Sequence, residues 1–253
     1  MIRETLGEIL GKLWAPAVGA IARARHARMF HPDGQTFVAH FEPAPGGPFE
    51  DLAQVLGRTV LARMSPALWR NGAERFEVLG IALRFHRGAR VRTKAEATDQ
   101  DLLFATIRSP FTMGLAPLTT DAHDFLRNRY FAVCPFELPS GERVKIRLSP
   151  ADAPVREGTR GEKLSASVLA GEAVFAVELR RTWRRGWARL GTLTVEKPSH
   201  TDQAALRFDP FQTGAGITPV GVIQAARKAT YAASQAARPA SDGEREILIR
   251  SAQ

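Results

Sequence analysis

A single cysteine in 253 residues, Cys134, excludes a disulfide framework and any metal site built from several thiolates. It follows an apolar run in Ala132-Val133-Cys134-Pro135 and has no activating partner nearby, so it reads as a small buried residue. Long hydrophobic runs are also missing. No stretch of eighteen apolar residues exists to cross a bilayer as a helix. The N-terminus lacks the pattern of a secretory leader, because Glu4, Glu8 and Lys12 interrupt its apolar stretch. One thiol and no export signal make the cytoplasm the expected compartment. Acidic residues are scarce relative to basic ones, 26 against 35, which leaves a net charge of +9. The arginines are spread along the chain, densest at Arg180-Arg181-Thr182-Trp183-Arg184-Arg185, and no aromatic-interleaved nucleic-acid motif is read. A solvated, colloidally stable surface is expected, with no nucleic-acid partner.

Tyrosine is rare as well. There are two, Tyr130 and Tyr231. Tyr231 lies four residues after Arg227 in a helical stretch, Val220 to Ala237. Residues i and i+4 lie over one another on a helix, so the guanidinium reaches the phenol oxygen. A fixed cation favours the phenolate, the form of tyrosine that ligates ferric iron. The same spacing also suits a helix whose Tyr packs inward while its Arg faces water.

The rest of the chain alternates strands and turns. Thr36, Val38 and His40 share one face of a strand over 35–43, and Phe37, Ala39 and Phe41 the other. Further strands are predicted at Phe76–His86, Asp101–Arg108, Phe131–Leu138, Arg143–Leu148, Leu164–Leu169, Ala173–Trp183 and Ala188–Glu196. Turns at Ser140-Gly141, Gly171-Glu172 and Arg185-Gly186 join them as antiparallel hairpins. Phe49 to Arg58 reads as a short helix, and residues 2–27 as an amphipathic helical arm broken near Pro16. That arm suits packing on the body, packing on a second copy in a homodimer, or peripheral contact with a membrane surface. Residues 240–253 read as a frayed polar tail. The pattern predicts one α+β domain over 1–253. At its centre would be an antiparallel barrel of about eight strands, large enough to hold one ligand, with N- and C-terminal helices.

Three segments carry a resemblance. Arg28-Met29-Phe30-His31-Pro32-Asp33-Gly34 places an Arg three before a His and a Gly three after it; Ala62-Arg63-Met64-Ser65 follows; Arg227 and Tyr231 close the series. Together, in this order, they resemble the haem catalases, and in particular the minimal, catalase-related members of that superfamily. The resemblance runs from about Ala22 to Pro239. It implies haem b as cofactor, with Tyr231 as the iron ligand and Arg227 holding it as phenolate. It also implies His31 as the distal acid–base group at the mouth of the first strand, Arg28 and Arg63 on the propionates, and Ser65 orienting His31. Phe111 would pack on the distal face. Ser65 equally suits a helix N-cap before Pro66, Phe111 an ordinary core position, and Arg28 and Arg63 a solvated surface.

The departure from the family pattern is at Asp101–Pro110, which contains no Asn. Haem catalases hold peroxide beside the His with one. Thr106 is the better polar stand-in, with Arg108 the other candidate. The expectation is therefore a haem-dependent oxidoreductase acting on peroxides, a peroxidase or weak catalase. Two alternatives stay open: a lyase, dehydratase or isomerase of an organic or fatty-acid hydroperoxide, and a non-enzymatic haem or small-molecule binding barrel.

Overall fold

The computed structural model describes residues 33–69, 73–203 and 205–221. The elements run β1 (Gln35–Pro43), helix α1 (Glu50–Val55), β2 (Thr59–Pro66), β3 (Leu79–His86) and β4 (Gln100–Ala105). A 3-10 turn over Pro110–Leu115 leads into helix α2 (Ala116–Thr119). Then come β5 (Tyr130–Phe131), β6 (Phe136–Glu137), β7 (Arg143–Pro150), helix α3 (Arg160–Leu169), β8 (Val174–Arg181), β9 (Ala188–Pro198) and β10 (Thr218–Pro219).

Every pairing is antiparallel. The order β5-β4-β3-β2-β1-β9-β8 is closed by β7, which pairs with both β8 and β5. The result is a closed barrel of eight strands with few helices, an α+β fold, and closure leaves no long edge for another chain to pair with. The short β6 lies beside the first residues of β7, and β10 adds to β6.

Alternation sets which side chains point inward. Phe37, Ala39 and Phe41 on β1, Leu79, Ile81, Leu83 and Phe85 on β3, and Phe175, Val177 and Leu179 on β8 belong to one buried apolar cluster. Phe41 and Phe85 meet edge to face at 5.5 Å, and so do Tyr130 and Phe175 at 6.1 Å. The barrel interior is thus filled by side chains. The expectation of a ligand within the barrel is not matched by this packed interior.

Two other readings change. Leu164–Leu169 belongs to helix α3 and not to a strand. Thr159 and Glu162 form a reciprocal capping box that starts the helix, and Leu164 and Val168, four apart, bury one face of it. The Gly171–Glu172 turn therefore joins this helix to β8. Ser65 does not cap a helix, because β2 continues through it to Pro66. The Phe131–Leu138 run is interrupted, with Cys134 and Pro135 separating β5 from β6. Cys134 itself is buried, as its composition and context suggested. Among the described residues, no helix is long and apolar enough to cross a membrane.

Candidate functional site

The outer faces of β1 to β4 mix polar and apolar residues where the inner faces are apolar. Cross-strand register arranges these outward positions in rows. Thr36, Arg63, Ala82 and Leu103 form one row; Val38, Leu61, Arg84 and Asp101 form the next. Ser65, Gly80 and Ala105 form a third row, nearer the start of β1. Gly34 extends it, since a Cβ built there would stand 2.9 Å from the Ser65 Cβ and 2.6 Å from the Arg63 guanidinium. The third row is therefore nearly flat, made of Gly, Ser, Gly and Ala, with a cation at its border.

Arg63 is buried, and its Nε donates to Gln203 Oε1 at 3.3 Å. Gln203 in turn donates to Thr36 Oγ1 at 3.0 Å, and Thr36 donates to the Ser199 carbonyl at 3.1 Å. This chain fixes the guanidinium from behind. Ser65 is buried on the same face. Of the residues singled out in the sequence, Arg63 and Ser65 are brought together, with Gly34 between them.

Thr106 is placed differently. The alternation that turns Ala105 and Ile107 outward leaves it on the other side. Its hydroxyl accepts from the Leu79 amide at 3.2 Å and from Thr120 Oγ1 at 2.7 Å. The role of polar stand-in beside a peroxide does not fit that engagement. Phe111 lies on the 3-10 turn before α2, where only the backbone is described. Arg28, His31, Arg227 and Tyr231 lie outside the described residues. Tyr130, the second tyrosine, is inside the barrel and donates to the Phe125 carbonyl at 2.7 Å. Burial, aided by the nearby Asp124 charge, pushes its phenol well above the usual range, so it stays protonated.

A second group on the same outer face is wholly buried. Arg84 and Asp101 form a two-pronged ion pair with both distances at 2.7 Å. Arg84 also donates to the Thr93 carbonyl at 2.7 Å and to the Arg207 carbonyl, and its guanidinium stacks over the Phe208 ring. Asp101 accepts from the Asp209 amide at 2.8 Å. The pair thereby fastens the 206–209 segment, whose Leu206 and Phe208 cover Leu61. Burial raises the Asp101 carboxyl from its usual range, against the pull of the Arg84 fork. Beside it, His86 contacts Asp99 at 3.1 Å and its other ring nitrogen accepts from the Arg92 amide at 3.4 Å. Burial, the largest influence, lowers the His86 pKa, and Arg92 and Arg84 act in the same direction.

Glu77 is the third buried group that the sequence did not announce. Its carboxylate accepts from the amides of Ala67, Leu68, Trp69 and Val78. It holds the turn leaving β2 over the outer end of the flat row. There Ala67, Val78 and Ala116 pack together with Ala105 and Ile107. A charged residue at alternate positions in an otherwise apolar strand, as at Arg84 and His86, was the available signal. Among the described residues, no cluster of three His, Cys, Asp or Glu side chains could hold a metal ion.

The flat row and the buried cation at its border fit a planar group bearing carboxylates. The row's own side chains are no larger than Ser, and the Arg63 guanidinium stands over its Gly34 end.

No family profile matches the chain, and no curated protein matches it. A solved structure does. It is described as a bacterial catalase and superposes with a TM-score of 0.55 at 14% sequence identity. The match covers 83% of this chain and 57% of the catalase chain. At that identity the likeness shows the fold, and the chain has a catalase-like fold spanning a little over half of its neighbour's length.

Proposed function

We propose that the protein is a haem-dependent enzyme acting on peroxides, with the haem lying against the outer face of β1–β4. The observation that carries this reading is the buried Arg63 at the border of the flat Gly34–Ser65–Gly80–Ala105 row. The whole chain acts as one catalase-like domain.

Haem b, when bound, supplies an iron centre able to take a phenolate ligand and to change oxidation state. The chain supplies the rest. Arg63 and Arg28 neutralise propionates, and the Gln203–Thr36 chain keeps the Arg63 fork in place. Tyr231 provides the phenolate, held in that form by Arg227 four residues earlier in the sequence. His31, three residues before Gly34, takes a proton from one peroxide oxygen and returns it to the other. Ser65, beside Gly34, orients that imidazole, and Phe111 packs against the distal side.

One observation favours a second reaction on this site, the rearrangement of an organic hydroperoxide. Large apolar side chains are exposed near the cluster that covers the Ala105–Ile107 end of the flat row, on the segments carrying Val78 and Ala116. Phe76 is 66% exposed, Leu115 59% and Leu118 66%. A hydroperoxide with a long apolar body suits that end better than hydrogen peroxide, and residues 101–110 offer no Asn to hold the small substrate.

Absorption spectroscopy during haem titration tests the cofactor. Stoichiometric binding is expected, with a charge-transfer band that is lost in Tyr231→Phe and an affinity about tenfold or more weaker in Arg63→Leu, the scale of one charge-assisted contact. Absence of stoichiometric haem, or identical spectra for wild type and Tyr231→Phe, would return the protein to a non-enzymatic binding barrel. Product analysis with a fatty-acid hydroperoxide, with and without a reducing co-substrate, separates the two reactions. Only a peroxidase needs the reductant.

A further inference from the structure

The net charge of +9 is left unexplained by one or two arginines at a cofactor site. Folding gathers part of it on the opposite wall of the barrel. On the outer face of β7–β9, Lys145 stands directly across from Arg180. Like charges in register across a sheet are destabilising unless something lies between them. Arg180 and Arg147 both lie against the Trp187 ring, at 5.0 and 4.2 Å, and the Arg180 Nε is buried without a hydrogen-bond partner. The nearby carboxylates are already engaged. Glu178 takes Arg147 and Ser149, and Glu142 takes Arg181.

The same face ends in the β8–β9 turn, where Gly186 adopts a φ of 89°. Trp183 is 92% exposed there, beside the exposed Arg184 and Arg185. Among the described residues, Lys145, Arg184 and Arg185 have no carboxylate partner. A groove runs between this turn and the 140–142 turn, lined by Glu142, Arg143, Arg181, Trp183 and Arg184, in which Glu142 pairs with Arg181 and Arg184 is left over. Trp183 thus presents an open aromatic face beside a groove lined mainly by arginines.

We propose that this face and its turn form a binding surface for single-stranded nucleic acid. Cations two residues apart on a strand are spaced at about 7 Å, so they can follow an extended phosphate backbone. Trp183 offers a face on which one base stacks, and base stacking on an aromatic tolerates any sequence. A lipid bilayer fits less well, because the turn holds one apolar side chain among Thr182, Arg184, Arg185 and Gly186. The proposal is independent of haem and of the face formed by β1–β4.

The test is fluorescence anisotropy of a labelled oligothymidylate with the full-length protein over a range of salt. Wild type is compared with Trp183→Ala, with Arg184→Gln/Arg185→Gln, and with Arg87→Gln/Arg90→Gln on the exposed β3–β4 connection. The tip double variant is expected to lower the slope of log K against log salt by about 1.4, or about 0.7 per phosphate contact on a single strand. Trp183→Ala is expected to weaken binding about tenfold, the scale of one stacked base. The β3–β4 variant is expected to stay within twofold of wild type. Equal losses from the two arginine pairs would mean that net charge alone attracts the strand, and would overturn the proposal. So would no binding at low salt, or a Trp183→Ala variant that binds like wild type. Parallel flotation with phosphatidylserine–phosphatidylcholine vesicles decides the remaining rival: tip-dependent vesicle binding without oligonucleotide binding would overturn the nucleic-acid assignment. Circular dichroism of each variant separates lost binding from lost folding.

Discussion

The two faces of the β1–β4 wall are built on opposite principles. The inner face is apolar and packs by shape, with Phe41, Phe85 and Ile81 buried against the rest of the interior. The outer face buries Arg63, Arg84, His86 and Asp101, each tied by hydrogen bonds. Burial of charge is costly unless every group is partnered, so the outer face specifies its geometry more strictly than the inner one does. An apolar interior tolerates a swap of similar volume, whereas a forked ion pair does not tolerate a change in the fork. This is the arrangement expected when one face supplies stability and the other supplies a site.

The sharpest test removes one half of the outer pair. Arg84→Met leaves Asp101 buried without its guanidinium and releases the Thr93 and Arg207 carbonyls. A loss of about 3–5 kcal/mol is expected in urea denaturation. Ile81→Leu on the inner face should cost less than about 1.5 kcal/mol. Adding Asp101→Leu to Arg84→Met is expected to restore part of the loss, because the stranded charge goes with it. If the single outer variant costs no more than the inner one, the contrast between the faces does not hold.

Next in size is Glu77. Its carboxylate serves four amides, and Glu77→Gln turns an amide group of its own toward them. The expected cost is about 2–3 kcal/mol, that of losing hydrogen bonds to a charged acceptor. Hydrogen exchange should show the damage concentrated at Ala67–Trp69, while the β7–β8 amides remain protected. Uniform loss of protection would make Glu77 a part of the global core and not a local clamp.

These groups mark where the sequence was legible and where it was not. The alternation of Phe37, Ala39 and Phe41 against Thr36, Val38 and His40 was plain, because one face of β1 is apolar and the other polar. β2 was invisible as a strand. Val60, Leu61, Ala62, Met64 and Ser65 are all buried, so both faces are covered and no alternation remains. The same double burial hid the site: Arg63 sat in a run without a pattern, and only the order of three short segments singled it out. Arg84 and Asp101 were unreadable as a pair, since their burial depends on the distant 206–209 segment closing over them. Helix α3 is the case where the signal existed. Thr159 and Glu162 mark its start, and the strand expected over Leu164–Leu169 overlooks the four-residue spacing of Leu164 and Val168.

A smaller effect sharpens the comparison at the site itself. In Gly34→Ala the new Cβ meets the tip of the Arg63 side chain, which can move, and the Ser65 Cβ. The fold should lose no more than about 1–2 kcal/mol, within the range for modest overpacking. Haem affinity should fall about tenfold as the guanidinium is displaced, matching Arg63→Leu. Unchanged affinity in a folded Gly34→Ala protein would move the propionate partner away from Arg63.

The smallest effect is electrostatic and belongs to the outer face alone. Buried His86 holds its pKa below the ordinary value of 6.5, so it is neutral in the folded protein at neutral pH. The unfolded chain takes up a proton near that ordinary value and the folded chain does not. Below about pH 6.5 the unfolded state therefore binds more protons, and stability falls with decreasing pH until the folded-state pKa is reached. Protonation would also abolish the acceptor nitrogen that receives the Arg92 amide. Urea denaturation at a series of pH values, wild type beside His86→Gln, measures this. The variant has no proton to take up, so its stability should decline less steeply on acidification. The difference in slope is bounded by one proton, roughly 1.4 kcal/mol per pH unit. Parallel curves would mean that the imidazole takes up its proton alike in the folded and unfolded chain, with the pull of Asp99 offsetting burial.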